Sequence, residues 1–92
     1  MSLTNKQIKD LKAKAHHLKP VVRIGQKGTT ENVLAEITNA LEIHELIKVH
    51  IANDDREIRK QAVTDIAGQS HAEIIGLIGK TCILYRKKTA DA

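Results

Sequence analysis

Segments with the period of a helix alternate along this chain with shorter segments that have the period of a strand. In one short segment, Ile47, Val49 and Ile51 alternate with Lys48 and His50. These periods predict seven elements in the order αβαβαββ. The predicted strands are Val21–Ile24, Leu46–Ile51, Ala72–Ile78 and Thr81–Arg86, and the helices begin near residues 4, 30 and 53. The order predicts a mixed α/β (α+β) fold, in which a small mixed four-stranded sheet is packed with helices.

The first two predicted helices have clear local signals at their ends. Thr4 and Gln7 have the spacing of a capping box, and Pro20 is expected to end the first helix. The second helix is predicted from about Thr30 to Ile43, with an apolar stripe along one side. Both helices can therefore pack one face against a sheet.

The third predicted helix and the final hairpin complete the pattern. Asn53 or Asp54 is the expected N-cap of this helix, and Gly68 suits its C-terminal exit. Gly79-Lys80 is the expected turn between the last two strands. No repeat or linker interrupts the chain, so residues 1–92 are expected to form a single domain.

Composition limits the class of protein. Ninety-two residues with a single cysteine, Cys82, exclude an intrachain disulfide, and that thiol is expected to be buried and inert. The first residues lack the apolar centre of a signal peptide, and no apolar run has the length of a membrane span. We therefore expect a soluble cytoplasmic protein that contacts no membrane and acts as a monomer.

The charges are unevenly distributed, although the formal net charge is only +4. Residues 1–28 carry seven Lys or Arg side chains and one acid, Asp10, whereas residues 29–47 carry four Glu and no Lys or Arg. Clustered cations raise the local potential, so this pattern is compatible with one face that binds a polyanion. Lysines that only solvate the outer side of the first helix would give the same pattern.

The segment Gly25-Gln26-Lys27-Gly28, which we call the GQKG loop, connects a predicted strand to a predicted helix whose N-cap is Thr29 or Thr30. Glycines permit positive φ and the close approach of another backbone. The helix start supplies free N–H groups that favour a phosphate, and Lys27 adds a cation. The loop resembles the one that contacts the sugar-phosphate backbone in KH domains. An ordinary turn with a surface lysine remains the alternative.

The sequence favours neither an enzyme nor a cofactor site. The loop lacks the G-x-x-x-x-G-K-[ST] spacing of a P-loop and the third glycine of a dinucleotide fingerprint. His16 and His17 are adjacent, so they cannot chelate a metal as an i, i+4 pair does. We therefore expect no catalytic residues, no metal, no cofactor and no small-molecule substrate.

Three parts of the chain resemble a known family: LTNKQIKDLKAKAHHLKPVVRIGQKG, ELIKVHI and IIGLIGKTCILYRKK. They are similar to the CRM domain, the chloroplast RNA splicing and ribosome maturation module, and within it to stand-alone bacterial YhbY-like members. The resemblance extends from Leu3 to about Lys88. Its most specific pieces are residues 15–20, 25–28, 45–49 and 84–86.

The resemblance implies a fold like the C-terminal domain of bacterial translation initiation factor three. It also implies RNA binding through the GQKG loop and, for bacterial members, a role on ribosomal RNA in precursors of the large subunit. Because Tyr85 is the only aromatic residue, we expect phosphate and shape recognition rather than base stacking. The predicted RNA-contacting residues are Lys12, His16, Lys19, Arg23, Gly25, Gln26, Lys27, Gly28, Thr29 and Arg86.

Two other functions remain open at this point. The domain could dock on a ribosomal protein or an assembly factor through its acidic second helix, with little RNA affinity of its own. It could also be a nuclease that uses histidines. Both are weaker interpretations than RNA binding.

Overall fold

Three helices and four strands follow each other in the predicted order in the computed structural model, which describes residues 3–25 and 27–87. The elements are α1 (Asn5–Ala15), β1 (Pro20–Ile24), α2 (Glu31–His44), β2 (Leu46–Ile51), α3 (Arg56–Ser70), β3 (Glu73–Ile78) and β4 (Thr81–Tyr85). None of the helices in this part of the chain is long and apolar enough to cross a membrane.

The four strands form one mixed sheet in the order β1-β2-β4-β3. β1 is parallel to β2, while β4 is antiparallel to both of its neighbours. The carboxyl ends of β1, β2 and β3 therefore meet the amino end of β4 at one end of the sheet. We call this the loop end, because the GQKG loop follows β1 there, and the opposite end the far end.

The sheet has helices on both faces because its strands bury apolar residues on both. One face packs against α2 and α3 in the larger core. Its buried residues are Val22, Ile24, Ile37, Leu41, Ile47, Val49, Ile51, Val63, Ile66, Ala67, Cys82 and Leu84. The other face packs against α1 in a smaller cluster of Ala15, Ile75 and Ile83, which Leu3, Ile8, Leu11, Leu46 and Tyr85 surround. The result is a three-layer α+β domain.

The ends of α1 agree only partly with prediction. The capping box is confirmed: the Gln7 N–H donates to Thr4 Oγ1 at 3.1 Å and the Thr4 N–H donates to Gln7 Oε1 at 2.8 Å. The prediction that Pro20 ends α1 is wrong, since the helix ends at Ala15 and Pro20 is the first residue of β1. Proline is suited to that place because the start of an edge strand tolerates a missing N–H.

The predicted ends of α3 are wrong as well. Asp55 is the N-cap, and its Oδ1 accepts hydrogen bonds from the N–H groups of Glu57 and Ile58. Asn53 instead accepts from the Asp55 N–H at 2.8 Å. At the other end, the helix continues through Gly68 to Ser70, and His71 takes the left-handed conformation with φ 58°. A single helical glycine costs about 1 kcal/mol, which the packing of α3 on the sheet offsets.

Cys82 lies on β4 inside the larger core, as predicted, and burial raises the pKa of its thiol to about 12. The thiolate, which is the reactive form, is therefore very scarce at ordinary pH. The pKa of this thiol in the folded state lies above its ordinary value of 9.0, so the protonated thiol favours the folded state below pH 9. That contribution to stability is lost as the pH rises from 9 to about 12.

We expect Cys82 to resist a thiol reagent such as DTNB in the native protein at mildly alkaline pH, and to react fully in strong denaturant. The chain has one cysteine, so the total absorbance change reports this thiol alone. Labelling of the native protein as fast as that of a free cysteine would contradict the buried position.

Candidate nucleic-acid interface

The GQKG loop closes a tight turn at the loop end of the sheet. The Gly28 N–H donates to the Gly25 carbonyl oxygen at 3.0 Å, and Gly28 has φ +77°. Only glycine adopts this conformation without strain. Gly25 is not in the positive-φ region, so the two glycines differ. Gln26 lies outside the described residues.

The surroundings of the loop leave room for a ligand backbone. A Cβ placed on Gly25 or Gly28 would have no atom of the described residues within 4 Å apart from the glycine itself and its chain neighbours, and Lys27 is exposed. Thr30 follows as the N-cap of α2, and its hydroxyl accepts from the Val33 N–H at 3.2 Å. The open glycines, the Lys27 cation and the start of α2 lie within one short segment, and each of these features favours an anion.

A row of side chains crosses the sheet beside the loop. On the face that carries α1, Arg23 pairs with His50, His50 with Thr81, and Thr81 with Ile78. Arg23 is on this face because Val22 and Ile24 on either side of it are buried in the larger core, as the sequence predicted. The small α1 cluster centres on Ile75 and Ile83, so this row is left largely open.

A second row lies next to the first, in the direction of the far end. Pro20 pairs with Lys48, and Lys48 pairs with Ile83. His16, the C-cap of α1, lies above this row. The two rows and His16 enclose a cavity of about 400 Å³ that is lined by His16, Pro20, Lys48, Ile78, Thr81 and Ile83. We use the term open face for Pro20, Arg23, Lys48, His50, Ile78 and Thr81 together.

The structure brings most of the predicted residues to this region. Gly25, Lys27, Gly28 and Thr29 form the loop or its continuation, and Arg23 precedes it on β1. His16 lines the cavity.

Lys12 lies close by. Its Cε is 3.3 Å from the position of a Cβ on Gly76, and Gly76 is the strand partner of Ile83. The lysine stem therefore lies across β3 beside the cavity.

Two predicted residues lie elsewhere. Lys19 precedes β1 at the far end of the sheet and lines a separate groove with Leu11 and Leu18. Arg86 follows β4, also at the far end, where its Nη1 donates to the Ser70 carbonyl oxygen at 2.9 Å and its Nη2 is 3.6 Å from Glu42 Oε1. The Arg86 guanidinium therefore joins α2 to α3, away from the loop.

Lys48, His50 and Thr81 belong to the open face, but the sequence reasoning did not include them. The alternation in β2 already places Lys48 and His50 opposite the buried Ile47 and Val49. The strand register, which pairs His50 with Arg23 and Thr81 with His50, could not be read from the sequence.

An ion pair also lies at the loop end. Lys80 Nζ, in the hairpin turn, is 2.6 Å from Asp54 Oδ1. The hydrogen bond and the charge of Lys80 hold the pKa of the Asp54 carboxyl below its ordinary value. Lys80 is therefore a cation whose charge is partly cancelled next to the loop.

The histidines form no metal site in the described residues. The His16 and His17 rings meet edge to face with centroids 5.5 Å apart. Within residues 3–25 and 27–87, no group of three or more His, Cys, Asp or Glu residues could hold a metal ion.

Fold and site together define a small α+β domain with an exposed glycine loop beside a basic, open sheet face, a surface that suits a polyanion. The chain belongs to the CRS1/YhbY (CRM) domain family, whose model matches residues 3–86. This confirms the resemblance that the sequence motifs carried.

Two relatives and one solved structure show how close the similarity is. The chain is 44% identical over 87 residues to PA4753 of Pseudomonas aeruginosa, named a probable RNA-binding protein, and the match covers 95% of this chain and 84% of that protein. It is 48% identical over 85 residues to an RNA-binding protein of Haemophilus influenzae, with 92% and 86% covered. The solution structure of hypothetical protein SAV1595 from Staphylococcus aureus matches with a TM-score of 0.85 and 31% identity, covering 99% of this chain and 95% of that one.

The two glycines of the loop provide a test of its geometry. We expect Gly28→Ala to lower the free energy of unfolding by about 1 kcal/mol, because φ +77° is strained for alanine. That loss corresponds to roughly 4–8 °C in Tm for a domain of this size. Gly25→Ala is the matched control and should change Tm little, since Gly25 has ordinary φ and open surroundings. Equal melting of both variants would exclude the turn described here.

Proposed function

We propose that this domain binds RNA through the GQKG loop and the open face, and that its target is ribosomal RNA during assembly of the large subunit. The loop geometry carries the proposal: a left-handed Gly28 with open surroundings and an exposed Lys27, immediately before the start of α2. We propose RNA as the polyanion because the chain belongs to the CRM family and its relatives are named for RNA binding. The ribosomal target rests on the resemblance to stand-alone bacterial members.

The physical basis of binding is contact with phosphates. Lys27, Arg23, Lys48 and Lys12 are cations on or beside the open face, and the N–H groups that begin α2 add fixed partial charge. Such contacts fix the position of an RNA strand and release counterions, but they carry little sequence information. Binding should therefore depend strongly on salt and only moderately on sequence.

An aromatic base-stacking platform has no place in this mechanism. Tyr85, the one aromatic residue of the chain, lies at the far end of the sheet and packs with the α1 cluster. The open face therefore offers cations, an imidazole, the Thr81 hydroxyl and aliphatic groups, and the RNA backbone and 2′-hydroxyls are the main groups that such a surface can contact.

The test is a titration of the protein with a protein-free structured RNA at several salt concentrations. If roughly four to six phosphates are contacted, log affinity should fall with log salt at a slope of about −3 to −5. Lys27→Ala should weaken binding by about 1 kcal/mol and make the slope shallower by about one unit. Lys60→Ala is the matched control, because Lys60 is an exposed lysine of α3 on the opposite side of the sheet.

The same titration separates the other functions. Absence of binding to protein-free RNA would support a protein-docking module instead. Equal effects of Lys27→Ala and Lys60→Ala would place the RNA site away from the GQKG loop. Cleavage of the RNA by pure protein, with or without chelator, would support the nuclease.

The Asp54–Lys80 ion pair gives an independent prediction. Asp54→Asn should raise RNA affinity by about two- to threefold at low salt, because it removes a negative charge and frees Lys80 beside the loop. Tm should hardly change, since an exposed ion pair contributes little stability. The lowered pKa means that Asp54 stays ionised at neutral pH, so mutation rather than a pH change is needed.

Asp65→Asn is the control for this effect, because Asp65 is an exposed acid on α3 whose carboxylate accepts from Gln61 at 3.0 Å. It changes the net charge by the same amount. Affinities that rise equally in both variants would show an effect of net charge alone and not of Lys80.

A further inference from the structure

We propose that the cavity of the open face holds a single unstacked nucleobase of the bound RNA, with Ile78 against the face of the base. The proposal rests on the proposed function, because it names the part of the RNA that occupies this region. It adds a base contact to a surface that otherwise binds phosphates.

Size and shape fit this occupant. The cavity of about 400 Å³ lies within the range of small-molecule sites and is open to solvent on one side. One of its lining residues is Ile83, which is buried in the α1 cluster. A flat ring can enter from the solvent while its sugar and phosphate stay outside.

The walls supply apolar contact in a region where the rest of the surface is polar. Ile78 is 70% exposed, the highest fraction among the large apolar side chains of the described residues. A single exposed isoleucine is not informative by itself. Here, however, Ile78 borders a concave site whose other apolar surfaces are Pro20 and Ile83. Together they can bury the face of a base without an aromatic residue.

The polar groups of the cavity suit the edge of a base. Lys48 is half-buried, and within the described residues it forms no ion pair. Its ammonium is a donor only, so it selects an acceptor such as the carbonyl oxygen of uracil or guanine. The Thr81 hydroxyl and the His16 imidazole can each donate or accept at neighbouring atoms.

The cavity is also within reach of an RNA strand that is bound at the GQKG loop. Lys48 and His50 are two residues apart on β2, a separation of roughly 7 Å, and His50 is paired with Arg23 just before the GQKG loop. A phosphate held at Arg23 and the loop therefore leaves a neighbouring nucleotide beside the cavity.

The test compares two probes with equal phosphate content: a twelve-nucleotide uridine RNA and a twelve-unit abasic ribose-phosphate strand. We expect the parent protein to bind the uridine RNA about fivefold or more tightly than the abasic strand. Ile78→Ala should bring the affinities for the two probes together, because the apolar contact with the base is lost while no charged contact with a phosphate is removed. Ile74→Ala is the matched control, because Ile74 is 44% exposed on the same strand but pairs with the buried Leu84.

Each result decides between the two proposals. Equal binding of both probes by the parent, or equal losses in the Ile78 and Ile74 variants, would overturn the base site and leave RNA binding intact. No binding of either probe or of structured RNA would overturn both proposals. Because Ile78 is exposed, we expect Ile78→Ala to melt like the parent, so a loss of the uridine preference reports on the contact.

Discussion

The central strand β2 holds the domain together, because it is hydrogen-bonded to β1 on one side and to β4 on the other. Apolar and polar side chains alternate along β2 and point to opposite faces of the sheet. Ile47, Val49 and Ile51 enter the larger core, while Lys48 and His50 point to the α1 side. A shift of one residue in its register would bury the two polar side chains and expose the core. The layers and the open face therefore both depend on this pairing.

The open face exists because α1 is short and lies over one part of the sheet. Its apolar residues pack on Ile75, Ile83, Leu46 and Tyr85, and the helix ends at Ala15. The chain then returns through residues 16–19 to β1. None of the three described helices packs on the row from Arg23 to Ile78, and most of that row is polar, so its exposure to water costs little.

The far end and the loop end of the sheet are built differently. At the far end, Arg86 joins the Ser70 carbonyl to Glu42, so a cation supports the packing of α2 and α3. At the loop end, Lys80 is paired with the exposed Asp54 and Arg59 donates to the Asn53 carbonyl oxygen at 2.8 Å, while Arg23 and Lys27 form no ion pair among the described residues. Arg86 is therefore used for structure at the far end, whereas Arg23 and Lys27 are left available for a ligand beside the loop, a difference that net charge alone does not show.

Sequence alone determined the element order, the capping box at Thr4, the inward side of β2 and the glycine loop, because each depends on residues close together along the chain. It misjudged the ends of α3, since several nearby residues could cap it and packing on the sheet decided. Only the tertiary structure showed that Arg86 and Lys19 lie at the far end of the sheet, while Lys48, His50, Thr81 and Ile78 lie on the same sheet face as Arg23. Those positions depend on strand order and register, which are set by contacts between residues distant in sequence.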